Sequence, residues 1–117
     1  MQYRRHKIAE QLRTEISAIF ARELRDDLPG LVTVTTVEIT PDLRRARVLI
    51  SLFGSAEQKS VALATLEKSA AFIRRLLGTR MRLRHTPELT FVEDHSIEEG
   101  DRMVTLIEAI EQKPPED

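Results

Sequence analysis

The feature that most narrows the fold of this chain is a double change of apolar period. Ile8, Leu12, Ile16, Ile19, Phe20 and Leu24 recur at helical spacing, with charges between them. They predict a helix over about 3–25, ended by Pro29 and Gly30 in "DDLPG". The period then becomes two. "LVTVTTVEIT" is rich in Val, Thr and Ile and reads as a strand. "RRARVLISLF" places Ala46, Val48, Ile50 and Leu52 on one face, and Arg45, Arg47, Leu49 and Ser51 on the other. The short turn "TPDLR" between them makes the pair antiparallel. Helical spacing then returns with Ala62, Leu66, Ala70, Ile73 and Leu77, after Ser55 as an N-cap. A one-faced sheet and one-striped helices must cover each other, which is an α+β arrangement with helices on one face of a small sheet.

The remaining elements fit that scheme. "PELTFVED", entered through Pro87, reads as a third strand. Ser96 and Glu99 have the spacing of a capping box for a last helix carrying Ile97, Val104, Ile107 and Ile110. "KPPED" has the composition of a disordered tail. The expected order is helix, strand, strand, a long helix interrupted at "KSAA", strand, helix. With no internal repeat and no linker, residues 1–112 are expected to form one domain and residues 113–117 a tail.

The formal net charge of −1 conceals a division. Met1–Pro87 holds 16 Lys and Arg against 9 Asp and Glu, whereas Glu88–Asp117 holds 2 against 10. A nearly neutral chain divided in this way can still grip a polyanion locally. There is no cysteine, hence no disulfide framework and no thiolate metal site. No apolar run approaches the roughly 18 residues of a membrane span. "MQYRRHKIAEQL" also lacks the apolar centre of a signal peptide, so the expectation is a cytoplasmic monomer without membrane contact.

The positive charge is concentrated in "AAFIRRLLGTRMRLRHTPELTF", with Arg74, Arg75, Arg80, Arg82 and Arg84 against the single carboxylate Glu88. At about 100° per residue, a helix gathers Arg74, Arg75, Gly78 and Arg82 within about 100° of arc. Phe72, Ile73, Leu76 and Leu77 face the sheet. Arg80 falls on the apolar side and is expected to snorkel out along its stem, or the helix to loosen after Gly78. A charged helix face is most often only solvated. The absence of interleaved carboxylates weighs against that here, and arginine forks match phosphate geometry. Aromatics are 4% of the chain, too few for base stacking to dominate, so backbone and shape recognition is the expected mode. Arg45 and Arg47 on the second strand are weaker candidates, as are Arg4, Arg5 and Lys7 near the start.

Other constellations have simpler explanations. Glu93, Asp94, His95, Glu98 and Glu99 lie close in sequence but lack a second spaced histidine or a cysteine, and read as a strand end before a capped helix. Asp26 and Asp27 before Pro-Gly read as a helix terminus and turn. Ser51 and Ser55 have no nucleophile-elbow context, and the four glycines are dispersed, so no phosphate loop exists. No enzyme and no cofactor are expected.

The segments "RRHKIAEQLRTEISAIFARELRD", "VTVTTVEITPDLRRARVLIS" and "AAFIRRLLGTRMRLRHTPELTFVEDHSIEEG", followed by "RM", resemble the bacterial ribosome-binding factor A family from Arg4 to about Ile110. The succession of "PDLRRARV", "RMRLRHTPELTF" and "DHSIEEG" carries the specificity. The resemblance implies a type-II KH-like domain, α-β-β-α-kink-α-β, with an additional C-terminal helix. It also implies non-catalytic binding to the immature 30S ribosomal subunit and its 16S rRNA, late in maturation, including processing of the 16S 5′ end, with a ribosome-assembly GTPase assisting release. KH domains that bind single strands carry a Gly-x-x-Gly loop, and this family has an Ala-x-Gly kink. The matching positions here are Ser69, Ala70 and Ala71, a departure at both defining positions, because Ala71 lacks the conformational freedom of glycine. The competing expectation is a protein-interaction module whose acidic C-terminal helix docks a basic partner.

Overall fold

Apolar residues three and four apart on a helix share a face, and this chain uses two such faces to roof one side of a sheet. The computed structural model describes residues 2–95. Along α1 (Gln2–Glu23), Ile8, Leu12, Ile16, Ile19 and Phe20 form one buried stripe. Along α2 (Ala56–Arg80), Ala62, Leu66, Ile73 and Leu77 do the same. Three strands lie beneath: β1 (Leu31–Ile39), β2 (Arg45–Phe53) and β3 (Glu88–Glu93), in the spatial order β1-β2-β3. β1 and β2 are antiparallel, whereas β2 and β3 are parallel. The parallel pairing requires a crossover, which α2 supplies. α1 lies mainly over β1 and α2 over β3.

β2, in the centre, alternates as expected, with Ala46, Val48, Ile50 and Leu52 buried. Val34 and Val37 on β1 and Phe91 on β3 complete the inner face, and the Phe91 ring lies 6.2 Å from that of Phe20 in a tilted contact. The step from Val34 to Val37 breaks the period of two. A bulge at Thr35 restores the facing, since the ladder pairs Val34 with Ile50 and Thr36 with Leu49. The chain enters β1 through Gly30 at φ 72°, where an added Cβ would run into the Phe53 carbonyl oxygen.

Two expectations are corrected here. α2 runs unbroken from Ala56 to Arg80, so Ser69, Ala70 and Ala71 lie inside one helix and do not divide two. Alanine is the best helix former, and no glycine at this point favours a left-handed residue. Ala70 packs partly against the core, as a continuing stripe requires. Second, α2 stops at Arg80, so Arg82 and Arg84 are not on a helix. Met81 adopts extended backbone (φ −118°, ψ 140°), and its N–H closes the helix on the Leu77 carbonyl. Met81 and Leu83 then pack against the core while Arg82 and Arg84 point to solvent, a local period of two.

Ser55 caps α2 as expected, and with Gln58 it completes a reciprocal capping box. The Ser96–Glu99 capping box, the last helix with Ile97, Val104, Ile107 and Ile110, and the 113–117 tail lie outside the described residues.

Candidate nucleic-acid interface

Three segments meet at one end of the sheet: the start of α1, the β1–β2 turn and the loop from Met81 to Pro87. The turn is a tight polar construction. The Leu43 N–H donates to the Thr40 carbonyl (2.8 Å), and the Thr40 N–H donates to the Arg45 carbonyl (2.9 Å). The Asp42 carboxylate accepts from the Thr40 hydroxyl (2.7 Å) and from the Arg44 N–H (3.1 Å). These two bonds, the Thr40 bond first, hold the Asp42 carboxyl below the usual carboxylate range. Leu43 sits at φ 62°, a left-handed conformation that costs a non-glycine residue about 1–2 kcal/mol. Its partial packing against the core offsets that strain, and Arg44 and Arg45 follow it, both exposed.

Backbone bonds fix the loop against this turn. The Glu88 N–H donates to the Arg44 carbonyl (2.8 Å), which registers the start of β3 on the turn. On the other side, the Arg74 guanidinium donates through Nε (3.1 Å) and Nη2 (2.9 Å) to the Thr86 carbonyl. Arg74 is thus a tether between α2 and the loop. Its fork is already engaged, and this forked bond to a backbone oxygen is one that lysine could not reproduce.

The result is a groove of about 470 Å³ whose charged lining is Arg4, Arg44, Arg82 and Arg84, with Asp42 as its single carboxylate. His85 also lines it, and Leu43 and Leu83 form part of its apolar wall. A neighbouring recess shares Arg44 and His85 and adds Arg45 and Arg74. A third hollow, across Arg82, contains Lys7 and Arg80 together with Glu10 and Glu15. Among the described residues, Arg4, Arg44, Arg82 and Arg84 form no ion pair with a carboxylate. Four guanidinium groups with free donors around one concavity form a site for a multiply charged oxyanion, and phosphates along a nucleic-acid backbone have that geometry.

The candidates chosen from sequence thus separate into groups. Arg4, Arg82 and Arg84 line the main groove, with Arg45, Arg74 and Lys7 beside it. Arg80 points towards α1 and pairs with Glu15 at 3.5 Å, its side chain only 26% exposed, so of the two outcomes expected for it the helix does not loosen. Arg47 lies in the middle of the outer sheet face, bound to Glu38 at 2.9 Å. Arg45 lies 3.9 Å from Glu88, a weak contact between two exposed groups. Arg75 is exposed on α2 and Arg5 half-buried on α1, and neither lines the groove. Sequence reasoning missed Arg44 and His85. The signal for Arg44 was present in "TPDLRR", where an Asp two residues before an Arg makes a side-chain-capped turn and puts that Arg at its edge.

The fold and sequence both have known counterparts. The family model described as ribosome-binding factor A matches residues 4–107. A Thermomicrobium roseum protein named ribosome-binding factor A is 46% identical over 115 residues, covering 98% of this chain and 89% of its own length. A Picosynechococcus protein of the same name is 41% identical over 113 residues, covering 95% and 86%. Among solved structures, a Thermotoga maritima protein described as a putative ribosome binding factor A superposes with a TM-score of 0.67 at 29% identity, covering 84% of this chain and 93% of that one. A Thermus thermophilus ribosome binding factor A homology model, fitted into the cryo-EM map of a 30S–RbfA complex, gives 0.61 at 26% identity, covering 74% and 91%. A match along 104 positions, with relatives this similar over almost their whole length, places the chain in the ribosome-binding factor A family.

Proposed function

We propose that this protein is a ribosome-binding factor that holds the 16S rRNA backbone of the immature 30S subunit in the groove between the β1–β2 turn and the Met81–Pro87 loop. The observation that carries this reading is the set of four arginines, Arg4, Arg44, Arg82 and Arg84, lining one concavity with no carboxylate partner among the described residues. Family membership supports the ribosome as the partner, as does the relative fitted into a 30S–RbfA complex. In this role the chain acts as a type-II KH-like domain that contributes binding without catalysis. Its place is late maturation, including 5′-end processing of the 16S precursor, in the cytoplasm, as a monomer, with a ribosome-assembly GTPase assisting release. RNA misfolds are harder to escape in the cold, so loss of the factor is expected to hurt most at low temperature.

The test is co-sedimentation with immature 30S particles across a salt series. Arg44, Arg82 and Arg84 changed together to Glu should leave melting nearly unchanged, because all three are exposed and have no ion pair among the described residues. Binding should fall steeply, and the dependence of log K on log salt should flatten by about one for each phosphate no longer held. A folded triple variant that sediments like the parent at every salt concentration would place the RNA elsewhere.

A further inference from the structure

The groove between the β1–β2 turn and the Met81–Pro87 loop holds one group that gripping phosphate does not explain. Among Arg4, Arg44, Arg82 and Arg84 stands the single carboxylate of Asp42. A carboxylate repels phosphate, so it weakens a site built for backbone alone. The turn accounts for only half of it. Both bonds that Asp42 accepts within the turn, from the Thr40 hydroxyl (2.7 Å) and the Arg44 N–H (3.1 Å), end on Oδ1. Asparagine, with its one side-chain oxygen, would serve that turn equally. Oδ2 is the atom that asparagine lacks, and among the described residues nothing donates to it. Asp42 is exposed, and its turn bonds hold the carboxyl below the usual range, so the group is ionised at neutral pH.

The hollow around Asp42 is also more than a phosphate cradle. Ile8, Ile39, Leu43, Leu83 and Pro87 line it with apolar surface, and its volume of about 470 Å³ lies in the range of pockets that enclose a small ligand. An RNA base has the matching mixed character: an apolar face, a hydrogen-bonding edge, and phosphates on either side. No aromatic ring lines the groove, but aliphatic side chains and guanidinium planes can cover a base. The Watson–Crick edges then decide which base. Guanine presents two adjacent donors, N1–H and the N2 amino group. Adenine and cytosine set their one amino donor beside a bare ring nitrogen, and uracil sets its one N–H between two carbonyl oxygens; both arrangements repel a carboxylate. Both lone pairs of Oδ2 are open, one for each guanine donor. Guanine O6, on the other side of N1, suits the surrounding arginine donors. We propose that this groove takes one unpaired guanine of its RNA, with N1–H and the N2 amino group donating to Oδ2 of Asp42, a reading that rests on the groove being the RNA site. The arginines hold the phosphates on either side, and Asp42 chooses the base between them.

The probes are single-stranded uridine heptamers with guanosine, inosine, adenosine, cytidine or uridine at the centre, bound to the full chain and followed by fluorescence anisotropy. The guanosine heptamer should bind about tenfold more tightly than those with adenosine, cytidine or uridine, the discrimination of a good two-donor contact. Inosine keeps N1–H and O6 but lacks the N2 amino group, so its heptamer should bind less tightly than the guanosine one. Inosine binding as tight as guanosine would overturn the proposal with the protein unaltered. Asp42→Asn keeps the Oδ1 acceptor of the turn and replaces Oδ2, so its guanosine and uridine heptamers should bind within about twofold of each other. A guanosine preference that survives in Asp42→Asn would put the base elsewhere and defeat the proposal. Equal binding of all the heptamers to the parent, lost when Arg44, Arg82 and Arg84 are changed to Glu, would sink the guanine and leave the backbone reading standing. Heptamer binding kept in full by that triple variant would take the RNA out of the groove, and both readings with it.

Discussion

The two ends of the sheet differ in how their side chains are held. At the Arg44 end, polar bonds do the positioning: Asp42 grips its own turn, Arg74 holds the Thr86 carbonyl, and Glu88 is registered on Arg44. Among the described residues the arginines of the groove meet no carboxylate. At the Phe53 end the last outer row, Leu31 with Phe53, carries no charge, and the positioning device is Gly30, which packs against the Phe53 carbonyl. One end spends its hydrogen bonds on placing free cations, and the other presents bare apolar surface. Neither arrangement is needed for the core, which closes between them. The two ends therefore present surfaces of opposite chemistry.

The comparison breaks most decisively at the basic groove. Charge reversal of Arg44, Arg82 and Arg84 should weaken binding to immature 30S particles more than about a hundredfold at moderate salt, since each charge-assisted contact contributes about 1.5–3 kcal/mol. The matching change at the other end, Leu31→Thr with Phe53→Thr, should leave that binding within about twofold, the small effect expected of surface positions away from the RNA. Equal losses from the two variants would show that the ends do not differ in function. Next in size is Gly30→Ala. It forces a side chain into left-handed backbone and against the Phe53 carbonyl, so it should cost about 2 kcal/mol or more and lower the melting temperature by several degrees, read by calorimetry.

A smaller effect sharpens the role of the tether. Arg74→Lys keeps the charge but loses the fork on the Thr86 carbonyl, so it should cost about 1 kcal/mol and loosen the loop. Hydrogen exchange at Leu83–Thr86 should speed up, with the remaining groove charges unchanged. If exchange there is unaltered, the loop is held by Met81 and Leu83 alone. The smallest effect concerns Asp42. Its carboxyl is held below the usual range, so its contribution to stability is fully present above the ordinary aspartate value of about 3.9 and is lost as pH falls through the lowered value. Because the group is exposed, the change should be confined to the turn. Titration of the Asp42 carboxyl by NMR should show the low value, and Thr40→Val should return it upwards.

Much of this was legible in the residues. The change of apolar period gave the strands and the faces of both helices, since Leu12, Ile16, Val48, Ile50 and Leu66 had nowhere else to go. Ser55 announced its helix because capping chemistry is local. The misreadings involve long-range or competing demands. The projection that set Arg82 beside Arg75 assumed the helix continued, whereas the burial of Met81 and Leu83 drew the chain straight. Arg74 looked free because its partner, the Thr86 carbonyl, is a backbone group that every residue carries. Arg80 met its carboxylate, Glu15, only through the packing of α2 on α1. The expected break at Ser69–Ala71 gave too little weight to these residues, which favour a continuous helix.

The parallel pairing of β2 with β3 has a consequence for how the protein comes to be. The β1–β2 hairpin joins neighbours in sequence and can form early, but β3 returns to β2 only after all of α2 has been laid down. The groove draws on Arg4, Arg44 and Arg82–Arg84, three places about forty residues apart in sequence, and the Glu88–Arg44 bond that closes it belongs to that late pairing. No fragment of the chain carries the site. While it is being made, the chain holds Arg4 and Arg44 long before Arg82 and Arg84, so the cluster of charge exists only once β3 has paired with β2.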